Sequence, residues 1–397
     1  MPAPRPERQR ILIPRTVWTL GFVSLFMDIS SEMIHALLPL FLTTTLGASV
    51  ILVGIIDGVA ESTAAISKVF SGYVSDKFGR RKPLILLGYS LGALSKPFFA
   101  LASTPTLVLG ARFADRIGKG LRGAPRDALV ADVTPPAIRG RAYGVRQALD
   151  TAGAFIGPVI AIALMALLAN NMRAVFWLAL IPASIAVLLV IIGVEDRATS
   201  DTKAKPPIRL GDLTRLGGGF WSLTGLGVIF TLARFSEGFL VLKANAEGLP
   251  LVFAPLVLVV MNAVYALGAA PAGALSDRIS SRALLLSGLG ALVAADAALA
   301  FAPGLLGAFA GIALWGVHMA LTQGLLTKLI ADRAPDDLRG SAFGFFNLAT
   351  GVTLLFASVV AGLLWDTVGS QATFLAGGAF ALAATAMLLT MPWRSDA

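Results

Sequence analysis

Apolar residues run through this sequence in long blocks, separated by short polar, Gly or Pro breaks. Twelve blocks stand out, at 17-45, 50-75, 83-103, 105-132, 142-168, 174-194, 220-246, 251-274, 283-302, 305-331, 341-365 and 371-392. A helix needs about 20 apolar residues to cross a bilayer. The pattern therefore predicts twelve membrane-spanning helices and an all-α integral membrane protein. The first block follows Arg5, Arg8, Arg10 and Arg15, an arrangement found in signal peptides. It carries Asp28 and Glu32, however, and lacks a small-residue cleavage site, so it reads as an uncleaved first span.

Two stretches recur. Residues 72-77, Gly-Tyr-Val-Ser-Asp-Lys, return as 273-278, Gly-Ala-Leu-Ser-Asp-Arg, each after the second span of its half. Residues 131-144 return as 331-344, sharing Ala-Asp at the start and Arg-Gly-x-Ala-x-Gly at the end. Two matches at nearly one offset indicate a duplicated six-span unit. The hydrophilic stretch after the sixth block is too polar to span and separates the copies. The expected organisation is a six-helix bundle at 1-196, a cytoplasmic linker at 197-218 and a second six-helix bundle at 219-397.

Composition agrees with lipid as the solvent. Of 397 residues, 56% are apolar and 14% charged, against about a quarter charged in soluble domains. Twelve spans use roughly 240 residues at the length a bilayer requires, which leaves no room for a large soluble domain. With no cysteine there is no disulfide framework, Cys-ligated zinc or thiol nucleophile. The two histidines, His35 and His318, speak against a His-based metal centre, and neither metal nor cofactor is expected. The net charge of +9 is not a nucleic-acid signal, because no Lys/Arg-rich run sits among aromatics. Twenty of the 32 Lys and Arg lie in the termini and the even-numbered loops, while the opposite side holds Arg173 and Lys243 alone. By the positive-inside rule both termini are cytoplasmic, in a plasma (inner) membrane protein that crosses many times.

The remaining ten basic residues lie within spans. A Lys, Arg or Asp at a helix centre costs roughly 2.5-3.5 kcal/mol on insertion scales, so these groups must pair, snorkel or line water. At about 100° per residue, Asp28, Glu32 and His35 of span one share an arc of roughly 60°, and Asp57, Glu61 and Lys68 of span two roughly 40°. Span four places Arg112, Asp115, Arg116, Lys119, Arg122, Arg126 and Asp127 within about 140°. Such stripes suit the wall of an aqueous cavity. Lys68, Lys96 and Arg112 are expected to snorkel, and Arg146 and Asp150 to pair one turn apart. The second half is poorer in charge, with Arg234, Glu237, Asp296, His318 and Lys328 in its spans.

The loop Gly72-Tyr-Val-Ser-Asp76-Lys-Phe-Gly79-Arg80-Arg81-Lys82 resembles the signature that the major facilitator superfamily carries between spans two and three. The second-half copy is degraded, with Ser280 where the first half has Gly79. The resemblance implies that fold, with two six-helix bundles around a central site. It also implies a conformational gate at Gly72, Asp76, Gly79, Arg80 and Asp132, with Asp277 and Asp332 as second-half counterparts. The segment Arg116-Ile-Gly-Lys-Gly-Leu-Arg-Gly-Ala is similar to the family's span-four pattern, in which the arginine couples proton movement to substrate. In span five, Gly144, Gly153 and Gly157-Pro158 resemble the antiporter signature of drug:proton exchangers, although Ala161-Ile162 replaces its closing Gly-Gly.

These readings converge on a secondary transporter that exports a small organic molecule in exchange for protons. The expected proton-coupling and cavity residues are Asp28, Glu32, His35, Asp57, Glu61, Arg116, Lys119, Arg122 and Glu237. An alternative is a symporter or exchanger for an anionic metabolite, an organophosphate or carboxylate, clamped by Lys119, Arg122 and Arg126. Enzymatic activity is not expected, because no Gly-x-Ser-x-Gly, His-Glu-x-x-His or phosphate-loop motif is present. The expected partners are substrate, protons and the bilayer, with no nucleic acid, for a chain acting as a monomer.

Overall fold

The structure is a computed structural model, which describes residues 12–195, 215–276, 279–323, 325–335 and 338–391. Its helices form twelve passages. In the first half these are α1 (Arg15–His35, continued by Leu38–Leu40 and a π-turn at Phe41–Thr45), α2 (Val50–Phe78), α3 (Lys82–Leu101), α4 (Pro105–Val133), α5 (Arg139–Leu167) and α6 (Met172–Leu178 and Leu180–Gly193). In the second they are α7 (Gly218–Leu232 and Gly238–Ala246), α8 (Leu256–Ser276), α9 (Ser281–Phe301), α10 (Gly304–Thr322 and Leu325–Arg333), α11 (Arg339–Thr367) and α12 (Ser370–Thr390). Of the expected linker at 197-218, residues 197–214 lie outside the described residues, as does Asp277.

Ten of the twelve passages are long and apolar enough to cross a membrane. The two exceptions have different causes. α4 is long enough but too heavily charged, and α7 is divided by non-helical residues 233–237. Both irregularities face the centre of the molecule and supply groups to the site described below.

Each half packs as a bundle. α1 lies on α5 and α6, and α4 on α2 and α3; in the second half α10 lies on α8 and α9, and α9 on α12. The halves meet along two seams, α2 on α11 and α5 on α8, which the six-span repeat relates to each other. Small residues make the first seam close. A Cβ on Gly54 would stand 2.2 Å from the Ser358 carbonyl oxygen, and one on Gly362 2.6 Å from Ile51 Cα. Ser62 Oγ donates to the Gly351 carbonyl at 2.6 Å. At the far end of the same seam, the Asp366 carboxylate accepts from the amides of Val50 and Ile51 at 3.1 and 2.8 Å. It satisfies donors that a helix start leaves free and lies at the positive end of the helix dipole.

An even number of crossings puts both ends of the described chain on one face, here called the terminal face. The seam contacts fall within 50–65 of α2 and 351–366 of α11, the part away from that face. Lys68 and Thr350, closer to the terminal face, line a cavity instead.

Candidate substrate and ion site

That cavity has a volume of about 570 Å³ and takes its wall from both halves. From the first half come Glu32, His35, Asp57, Glu61, Lys68, Arg116 and Lys119, and from the second Thr231, Arg234, Phe235, Ser236, Glu237, Asn262, Trp315 and Thr350. Seven of the nine residues expected from the sequence therefore share one cavity. Asp28 and Arg122 stand outside its lining. Asp28 packs on Gly153 of α5, where an added Cβ would stand 3.0 Å from Asp28 Cβ, and Arg122 donates to the Gly88 carbonyl at 3.3 Å with its guanidinium over the Tyr89 ring.

The stripe on α4 is positioned by helical spacing and by what it meets. Arg112 and Arg116, four residues apart, both reach Glu61 on α2: Arg112 Nη2 lies 3.8 Å from Glu61 Oε1 and 3.5 Å from Asp57 Oδ1, and Arg116 Nη1 lies 3.4 Å from Glu61 Oε1. Further round the same stripe, towards α3, Asp115 takes Lys96 Nζ at 2.9 Å, which also donates to Ser31 Oγ at 3.1 Å. Lys96 and Arg112 were expected to snorkel. The structure corrects both: they are 1% and 2% exposed and held by carboxylates inside the bundle. A buried charge is tolerated when it is paired: Lys96 is both paired and hydrogen-bonded, while Arg112 and Arg116 meet their carboxylates as ion pairs, with Arg112 Nε and Nη2 and Arg116 Nε lacking a hydrogen-bond partner among the described residues.

Towards the terminal face a second network holds Arg126 and Arg146 against Asp127 and Asp150, with Arg146 to Asp150 at 3.5 Å as expected one turn apart. With Arg122 and Arg126 so engaged, they are not free to clamp a ligand. The cavity's cations without an ion-pair partner among the described residues are Lys68, Lys119 and Arg234. Glu32 pairs with His35 at 3.5 Å.

A side-chain hydrogen bond also crosses between the halves at the cavity. Ser236, in the break of α7, donates to Asp57 Oδ2 at 2.7 Å, and the amide of Gly238 donates to Ser236 Oγ at 3.1 Å. Asp57 thus ties an arginine of α4 to the irregular part of α7.

The loop between α2 and α3 is built around Gly79, whose φ of +64° closes α2 with its N–H on the Ser75 carbonyl. The residue that bridges the expected carboxylates is Arg81, not Arg80. Arg81 Nη1 lies 2.6 Å from Asp76 Oδ1, and Nε lies 2.7 Å from Asp132 Oδ2. The left-handed turn at Gly79 leaves Arg80 exposed and directs Arg81, at the start of α3, inward. Burial works against the Arg81 charge, but hydrogen bonds to Asp132 and Asp76 raise its pKa above the ordinary arginine value. Gly72 packs against Ala124 of α4, and Asp332 is exposed without an ion pair among the described residues.

The antiporter-like glycines lie in a different place from the seam between halves. Cβ atoms on Gly153 and Gly157 would stand 2.5 and 2.8 Å from the carbonyls of Leu25 and Ile29 on α1. Together with the buried Pro158 they form the bed of α1 within the first bundle. No local pattern in the sequence points to the contacts of Asp366, Arg81 and Ser236. Asp366 had a weak signal, an acid at the edge of an apolar block.

A family model described as Major Facilitator Superfamily matches residues 20–349 and again 238–397. An uncharacterized MFS-type transporter of Methanocaldococcus jannaschii is 30% identical over 388 residues, 95% of each chain. Multidrug resistance protein MdtH of Photorhabdus laumondii subsp. laumondii is 33% identical over 141 residues, 36% of this chain and 35% of that one. Among solved structures, the nucleoside transporter NupG superposes with a TM-score of 0.80 at 12% identity, covering 94% of this chain and 99% of that one. Twelve helical passages in two related bundles, with a charged cavity between them, fit these matches, and the chain belongs to the major facilitator superfamily, as a multi-pass membrane transporter of small molecules.

Proposed function

We propose that the protein exports a small organic molecule in exchange for protons, by alternating access between the two bundles. The observation that carries this reading is the shared cavity, in which Glu32, Asp57 and Glu61 face Arg116 and Lys119 from one half and Arg234 and Glu237 from the other. A proton on Glu61 removes the charge that holds Arg112 and Arg116. A proton on Asp57 weakens its links to Arg112 and, across the halves, to Ser236. Each event favours one arrangement of the bundles over the other. The local likeness to a multidrug resistance protein supports export. The placement of basic residues supports a plasma membrane orientation with the terminal face in the cytoplasm, so the state described here is closed outside and open inside. Residues 197-218 serve as the linker between bundles, and the monomer contains the whole site.

The test is transport by the reconstituted protein in liposomes under an imposed pH gradient. Glu32→Gln, Glu61→Gln and Arg116→Ala are each expected to uncouple transport from the gradient. Full pH-driven transport in all three would overturn the relay.

A second reading has its own observation. Lys68, Lys119 and Arg234 line the cavity without ion-pair partners among the described residues, which suits the carboxylate or phosphate of an anionic metabolite. Competition by anionic rather than cationic compounds, with the matching sign of transport current, would favour it.

A further inference from the structure

The second bundle contains an acid that the coupling scheme above does not use. Asp296, on α9, is 1% exposed, and neither of its carboxyl oxygens has a hydrogen-bond partner among the described residues. The helices packed most closely on α9 are α10 and α12. α12 has no ionisable residue. α10 offers His318, whose Nδ1 is engaged with the Gly288 carbonyl at 2.8 Å and whose ring lies against Phe230. Arg282 of α9 itself is turned to the Leu389 carbonyl near the terminal face. No cation among the described residues forms an ion pair with Asp296.

Its surroundings connect it to the transport cavity. A Cβ on Gly377 of α12 would stand 2.9 Å from Asp296 Oδ2 and 2.9 Å from Phe235 Cε1, so the acid, the glycine and the aromatic ring converge on one point. Phe235 belongs to the break in α7 and lines the central cavity. With Thr373 and Gly377, the same ring borders a separate cavity of about 20 Å³. A single ring therefore stands between the acid's surroundings and the substrate space.

An isolated carboxylate buried among apolar groups loses several kcal/mol of solvation per ion. The acids of α2 and α4 offset that loss with arginine and lysine, while Asp296 has no such offset and suits the neutral, proton-bearing form. We propose that Asp296 is a second proton-binding group of this transporter, seated in the second bundle and reached from the central cavity past Phe235. Loss of its proton places a bare charge behind the ring and displaces Phe235 from the wall. Proton occupancy is thereby read by the substrate site from the side opposite Glu61.

Infrared spectroscopy of the full chain in lipid tests this with no substrate present, so its outcome is separable from that of the transport assays. The carbonyl stretch of a protonated carboxyl is expected in the wild type at neutral pH. It should be absent from Asp296→Asn, shift downward in heavy water and disappear as pH is raised. Gly377→Ala, which crowds Oδ2, is expected to move the band without removing it, and keeps the test available if Asp296→Asn does not fold. Identical spectra for wild type and Asp296→Asn would overturn the proposal. So would a band that neither exchanges in heavy water nor titrates, since that describes a sealed structural acid. Either outcome leaves the assignments to Glu32 and Glu61 standing on their own test.

Discussion

The two bundles share a repeat and a fold but handle buried charge in opposite ways. In the first, a core of acids and bases on α2, α3 and α4 is paired, Arg112 with Asp57 and Glu61, Arg116 with Glu61, Lys96 with Asp115, while Lys68 and Lys119 stand outside the pairs among the described residues. In the second, the polar groups are few and stand apart, with Arg234 and Glu237 at a helix break and Asp296 alone. A matched network is stiff towards removal of one member, because each loss strands another charge. Isolated groups respond one at a time. The contrast teaches that charge density alone does not identify the part of a transporter free to bind a ligand or a proton; the unmatched groups do.

The largest expected effect comes from breaking a match. Arg112→Leu strands Asp57 and is expected to lower stability by about 3–5 kcal/mol, seen as a fall in the melting temperature of the purified protein. Adding Asp57→Asn to that variant should recover much of the loss, and equal damage in the double variant would refute the matching. Next come the unmatched cations. Lys119→Ala and Arg234→Ala remove charge without stranding a partner, so melting should change by no more than about 0.5 kcal/mol. Transport of an anionic substrate should weaken by roughly tenfold or more, as the loss of a charged hydrogen bond of about 1.5–3 kcal/mol implies.

The seam where the bundles meet sharpens the comparison further. Gly54→Ala puts a methyl group 2.2 Å from the Ser358 carbonyl. Overpacking of about 1–3 kcal/mol penalises the closed arrangement and shifts populations by roughly 5–150-fold. Spin-label distances between α2 and α11 on the face away from the termini would lengthen; unchanged distances would show that the seam yields. The smallest effect concerns a part-buried pair at the end of α7. Glu247 is held below the ordinary carboxylate range by hydrogen bonds from Lys243 and from the Gly304 amide. A lowered value in the folded state means that its contribution is present above the ordinary carboxylate range and is lost as pH falls through the lowered value. Glu247→Gln should remove this slight acid sensitivity, measured as the difference in melting between neutral and acid buffer.

The twelve passages, their pairing into halves and the polar face of α4 were legible because length, apolarity and helical period act locally. So was most of the cavity, since stripes on α1, α2 and α4 must turn inward. What the sequence left open was the choice of partner. Helical spacing gives Arg112 a direction but does not say that Asp57 waits there, and the same gap turned Lys96 and Arg112 into expected snorkelling residues. Arg80 and Arg81 are adjacent, and only the three-dimensional course of the turn after Gly79 decides which points inward. Links across the halves join residues 179, 289 and 316 positions apart, beyond the reach of any local pattern.

The charge on α4 has a consequence for how the protein is made. Eight of its 29 residues are ionisable, an insertion penalty on the order of 20 kcal/mol if each met lipid alone. Such a segment cannot leave the translocation channel sideways as an independent unit. Its neutralising partners Asp57, Glu61 and Lys96 lie earlier in the chain and emerge from the ribosome first. The order of synthesis thus prepares a polar berth on α2 and α3, and α4 enters the bilayer as the last piece of a three-helix assembly.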